Sequence, residues 1–178
     1  MKNFTRILVA SLVMLLAVQA LSAQTSPDPA IQKAREETVV IFDLGRMFGY
    51  LNAMEKDTKV TALSNAQLIK LYDIMIELRG TKRIEVSRAK TLLTTIEDSI
   101  LTPAQLMAAD KLAAAKEAER TTVPGSGAGA NSSTSGGSSS LPSYVSGGDF
   151  NPIIDPTKTM GQDFTAFFDY TAKKLGRK

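Results

Sequence analysis

Apolar residues return at steps of three and four along most of the chain after residue 30. Val40, Leu44, Met47, Leu51 and Met54 form the first such stripe, widened on one side by Ile41 and Phe48, and predict a helix from about Ala30 to Lys56. Read alone, Thr38-Val39-Val40-Ile41-Phe42 suits a strand, but its continuation in helical steps overrides that. Asp28 and Pro29 suit the cap and the first position of this helix. Gly45 and Gly49 lower its propensity, yet one turn apart they leave a smooth strip on which a second helix can lie close.

A longer register runs from Leu68 through Tyr72, Met75, Arg79, Lys82, Val86, Ala89, Leu93 and Ile96 to Ile100, in alternating steps of four and three. Two readings fit it. One is a single helix from about Asn65 to Ile100, roughly 50 Å long at 1.5 Å per residue. The other is a hairpin at Gly80-Thr81, a pair that suits a helix end followed by a new cap. The single helix is preferred, because a turn has no reason to preserve the register. A helix opening at Thr81 also places Lys82 and Arg83 in its first turn, against the macrodipole.

Two helix starts in this region share a short phrase. Leu63-Ser64-Asn65-Ala66-Gln67 and Leu101-Thr102-Pro103-Ala104-Gln105 each set a hydroxyl residue three positions before a glutamine. That spacing is the capping box: the hydroxyl accepts from a first-turn N–H, and the glutamine reaches back to the cap residue. Pro103 falls at the first helical position, where its missing N–H costs nothing. The helix it opens, from Pro103 to about Arg120, is rich in alanine and has few bulky side chains beyond Leu106, Met107 and Leu112. Such a thin helix lies close against its partner.

Residues 122–148 are dominated by Gly, Ser, Ala and Pro with almost no charge, and predict a flexible linker between a helical body, 24–121, and a final segment, 149–178. In that segment Met160, Phe164, Phe167, Phe168, Thr171 and Leu175 make one helical face, with Lys173, Lys174, Arg177 and Lys178 at its end. The face either folds back onto the body or makes weak contact with a membrane surface. Asp163 and Asp169 dilute its cationic character and favour docking. The fold class expected is therefore all-α: an elongated body of three antiparallel helices, a linker, and a short amphipathic helix.

Residues 1–23 have the order of a cleaved secretory leader: basic Lys2 and Arg6, an apolar run from Ile7 to Ala20, then small residues Ser22 and Ala23. They predict a periplasmic or secreted protein. Of 21 basic residues two lie in the leader and all 18 acidic ones lie downstream, so the processed chain is nearly neutral and gives no support to nucleic-acid binding. The chain has no cysteine, so its core must hold without disulfides. With no histidine either, the usual general base and metal ligands are missing. The carboxylate pairs Asp73/Glu77 and Glu97/Asp98 have no companion cluster, and Ser87, between basic neighbours, lacks a glycine-rich elbow. No enzyme activity, metal or cofactor is expected.

The two pentads, with Ile96 and Ile100 ahead of the second, resemble the Leu-Thr-x-x-Gln motif of the Spy/CpxP family of exported helical proteins. The likeness covers Leu63 to Arg120, with Ser64 standing where the motif has threonine. It implies an antiparallel, cradle-like dimer acting as an ATP-independent chaperone or an envelope-stress accessory protein. It also implies that Leu63, Ser64, Gln67, Leu101, Thr102 and Gln105 are structural caps that set how helices meet. The function expected is binding of apolar segments of other envelope proteins, with Phe42, Met47, Phe48, Phe164, Phe167 and Phe168 as contact residues and a homodimer as the assembly. The alternative is an envelope adaptor that docks one partner, or a membrane surface, through its C-terminal helix.

Overall fold

The structure, a computed structural model, describes residues 28–122 and 140–177. The expected leader, 1–23, and most of the expected linker lie outside the described residues. The fold is all-α, and the described residues form six helices: α1 Pro29–Met54, α2 Asn65–Gly80, α3 Val86–Thr95, α4 Pro103–Thr122, α5 Leu141–Val145 and α6 Thr159–Lys174. A π turn, Ile96–Ile100, extends α3, and a 3-10 turn, Pro152–Ile154, precedes α6.

Helix α1 is the axis of the molecule. Asp28 caps it by accepting from the Ala30 N–H at 2.8 Å, and Pro29 opens it. It packs against α3 and α4 as well as α5, α6 and the 3-10 turn. Because so many elements cover it, its buried face is wider than one amphipathic stripe: Ile41, Leu44, Met47, Phe48, Leu51 and Met54 are all in the core. Polar residues are buried as well, among them Thr38 and Asn52 of α1 and Thr171 of α6. Thr38 returns its hydroxyl to the Ala34 carbonyl at 2.7 Å, whereas the buried Thr171 hydroxyl of α6 has no hydrogen-bond partner.

The chain between Asn65 and Ile100 is not one helix. It breaks at Gly80, and the break is held by a segment some 70 residues further on. Asn151 donates from one side-chain nitrogen to Leu78 O and Thr81 O, both at 2.8 Å, and so satisfies carbonyls at the end of α2. Phe150 donates its N–H to Lys82 O and accepts from the Ile84 N–H, forming an isolated parallel bridge at Arg83. The dipole objection to a break does not apply, since α3 starts at Val86 and leaves Lys82 and Arg83 outside it. Within the long register Arg79 and Lys82 face solvent, Val86 and Leu93 are half-buried, and Ala89, Ile96 and Ile100 are buried.

The expected linker also ends earlier than its composition suggested. Residues 140–148 are ordered: Ser140 caps α5, accepting from the Ser143 N–H at 3.3 Å. Arg83 donates to Gly148 O at 2.7 Å and to Tyr144 O at 3.3 Å, with its guanidinium over the Tyr144 ring. Carbonyls at the end of a short helix thus find a cation from elsewhere in the chain, which composition does not reveal.

Candidate functional site

The two pentads meet in space. In each, the box closes as its spacing requires: the Gln67 N–H donates to Ser64 Oγ at 3.3 Å while Gln67 Oε1 accepts from the Ser64 N–H at 2.9 Å. Likewise the Gln105 N–H donates to Thr102 Oγ1 at 3.3 Å, and Gln105 Oε1 accepts from the Thr102 N–H at 3.0 Å. Each glutamine has an amide nitrogen left over, and both are spent across the pair. Gln67 Nε2 donates to Ile100 O at 2.6 Å and to Gln105 Oε1 at 2.7 Å. Gln105 Nε2 donates to Ala62 O at 3.3 Å and to Thr61 O at 3.2 Å. Ala62 and Ile100 each directly precede the leucine of their own pentad, so the exchange is close to two-fold symmetric. Leu63 and Leu101 are buried beside it, and Gln105 itself is only 1 % exposed.

Most of the residues expected to contact a client are in the core. Met47, Phe48, Phe164, Phe167 and Phe168 are buried, with the Phe48 and Phe164 rings edge to face at 5.1 Å and Phe168 stacked on Tyr72 at 5.0 Å. Phe42 is half-buried against the edge of Phe150. The aromatic face of α6 therefore docks on the body. The strip left by Gly45 and Gly49 is where α6 lies: a Cβ at Gly45 would fall 2.1 Å from Met160 Sδ, and one at Gly49 would fall 2.9 Å from the Asp163 carboxylate.

The carboxylate pairs are taken up structurally or left on a rim. Glu77 receives a bidentate fork from Arg88 across the Gly80 break, at 2.6 and 2.5 Å, which holds its carboxyl below the usual range. Asp73 faces Arg177 at 3.4 Å. Glu55, at the end of α1, accepts from the Leu63 N–H at 2.6 Å, from the Tyr170 hydroxyl and from Lys174 Nζ at 3.1 Å. Burial pushes the Glu55 carboxyl up, but these three donors together outweigh it and hold the group below its ordinary value.

A groove of about 390 Å³ opens between α1, α3 with its π turn, and α4. Its floor is Met47, Leu93, Ala109 and Ala113, and its walls carry Asp43, Arg46, Tyr50, Glu97, Asp110 and Glu117. The alanines of α4 create it, because a helix without bulky side chains cannot fill the space beside α1. Burial, and after it the charges of Asp98, Asp110 and Asp43, push the Glu97 carboxyl up. A second hollow, about 340 Å³, lies where Arg79 covers Phe168 at the seam of α2 and α6. Among the described residues no group of three or more acidic side chains is placed to hold a metal, and no helix is long and apolar enough to cross a membrane.

The groove was not legible as a site. Glu97 and Leu93 stood out for other reasons, but Asp43, Tyr50 and Asp110 join them only because three helices converge. Compared with family models, curated proteins and solved structures, the chain matches none of them.

Proposed function

We propose that the protein is a non-catalytic binding protein of the cell envelope that holds a segment of another protein in the groove between α1, α3 and α4. The observation that carries this reading is the groove itself. It has an apolar floor, walls whose polar groups are carboxylates, one guanidinium and a phenol, and a volume at the lower end of the roughly 300–1,000 Å³ typical of binding pockets. The leader-like order of residues 1–23 supports export. The meeting of two Leu-[Ser/Thr]-x-x-Gln boxes supports the likeness to the Spy/CpxP family, and with it an ATP-independent chaperone or envelope-stress role.

The adaptor reading draws less support, because the aromatic face it needs is buried against α1 and α2. The test is light scattering of an unfolding client. The full chain slows aggregation without nucleotide, and Ala114→Trp, which fills the groove from the exposed side of α4, loses that effect while keeping its helical spectrum. Equal activity of the two proteins removes the groove from the mechanism.

A further inference from the structure

The hollow of about 340 Å³ at the seam of α2, the 3-10 turn and α6 shares no lining residue with the groove. Its walls are set by contacts between distant parts of the chain. Asn151 fixes the end of α2, and with it Arg79, by donating to Leu78 O and Thr81 O. Gly161 lets the Asp155 carbonyl lie against α6, which brings Ile154 to the same hollow as Phe164 and Phe168. One aliphatic and two aromatic side chains thus make an apolar floor. Phe168 is stacked on Tyr72 with ring centroids 5.0 Å apart, and the Arg79 guanidinium lies over it, 4.3 Å from the ring centroid.

The polar groups of the hollow are sorted by side. From α2 comes a guanidinium, which has five N–H donors and no acceptor; from α6 come the Asp169 carboxylate and, one turn before it, Thr165. The Thr165 hydroxyl gives its proton to Gly161 O at 2.8 Å, so what it offers a ligand is an acceptor oxygen. Among the described residues Arg79 makes no hydrogen bond or ion pair and Asp169 has neither a donor nor a cation, although the two line one hollow.

We propose that this hollow binds a free α-amino acid with an apolar side chain. The ligand carboxylate takes the Arg79 fork, the ammonium donates to Asp169 and Thr165, and the side chain lies on Ile154, Phe164 and Phe168. A ligand must carry both charges to answer this pair. A simple anion is repelled by Asp169, a simple cation by Arg79, and a neutral ligand leaves both groups to water. A residue inside a polypeptide has neither charge and a chain end has only one, so the pair selects the free amino acid over a peptide. The volume, near the lower end of the roughly 300–1,000 Å³ of small-molecule sites, suits a ligand of that size.

The experiment is calorimetric titration of the full chain with L-leucine, N-acetyl-leucine, which lacks the ammonium, and leucinamide, which lacks the carboxylate. Leucine binds, and each blocked analogue binds at least roughly tenfold more weakly, the weight of losing hydrogen bonds to a charged group. Arg79→Gln brings leucine down to the level of leucinamide, and Asp169→Asn brings it down to the level of N-acetyl-leucine. That pairing of variant with analogue is one that general damage to the fold does not produce. Both side chains are exposed, so both variants keep the helical spectrum of the parent. Absence of leucine binding overturns the proposal, as does leucine binding untouched by either variant. Equal binding of N-acetyl-leucine assigns the hollow to a carboxylate or a peptide C-terminus, equal binding of leucinamide assigns it to an amine or a peptide N-terminus, and either result overturns the zwitterion. The analogue comparison on the parent chain decides the matter even where a variant fails to fold.

Discussion

The side-chain amides of Gln67 and Gln105 are hydrogen-bonded to each other at 2.7 Å, although 38 residues separate them. Each glutamine also closes the cap of its own helix and reaches a carbonyl just before the other pentad. Two helix starts that are locally independent thereby become one unit. Losing either side chain strands polar groups of both, and Gln105 is the more buried of the two.

Gln105→Ala is expected to cost on the order of 1–2 kcal/mol, since the Thr102 N–H and the Thr61 and Ala62 carbonyls lose a partner in a partly buried setting. Gln67→Ala costs somewhat less, and Ser64→Ala and Thr102→Ala each about 1 kcal/mol. A double-mutant cycle on the two glutamines, read by urea denaturation, gives a coupling of about 1 kcal/mol or more. Strict additivity would mean the pentads do not act together.

Stability should fall in acid through Glu55. Its carboxyl is held below its ordinary value by Leu63, Tyr170 and Lys174 against the opposing effect of burial, so the unfolded chain takes up the proton first as pH drops. The stabilisation is fully present above about pH 4.5, the group's ordinary value, and is lost as pH falls through the lower folded value. Glu97 works in the opposite sense, because its raised pKa makes protonation relieve the fold. Thermal melts from neutral pH to pH 3 should show a shallower acid decline in Glu55→Gln than in the parent, and a steeper one in Glu97→Gln.

Thr171→Val should stabilise the protein by about 1 kcal/mol. The Thr171 hydroxyl is fully buried with no partner, and valine keeps the shape while removing the desolvated group. A lower melting temperature in the variant would show that the hydroxyl is satisfied in solution.

Gly161→Ala should be among the most damaging small substitutions, costing on the order of 1–3 kcal/mol or more. A Cβ there would lie 2.0 Å from the Asp155 carbonyl oxygen, and backbone cannot step aside as a flexible side chain can. Gly80→Ala, where a Cβ meets nothing within 4 Å, is the matched control and should leave the melt nearly unchanged.

A chain shortened to end at residue 120 should lose its cooperative melt or associate with itself. Removing α6 uncovers Phe48 and Leu44 and takes away Phe164 and Phe167, all of them fully or almost fully buried. Phe164→Ala alone should cost about 3–5 kcal/mol. An unaltered, monomeric melt of the shortened chain would mean that α6 is not part of the core.

The all-α class, the extent of α1, the starts of α2 and α4, and the helical, aromatic character of α6 could all be read from the order of residues alone. Each depends on residues within one or two turns of each other, so periodicity and capping chemistry are visible in a short window. The rest depends on distant parts of the chain meeting. The register from Leu68 to Ile100 continued through Gly80 on paper, and what breaks it is Asn151 and Phe150 arriving from far along the chain to take the carbonyls and N–H groups that the helix would have used. Residues 140–148 looked like linker because what orders them, the guanidinium of Arg83, is more than 60 residues away in sequence. The apolar stripe of α1 offered Phe48 as a contact surface until α6 covered it. The groove exists because α1, the π turn and an alanine-rich helix fail to close over one another, a property of packing that no single segment encodes.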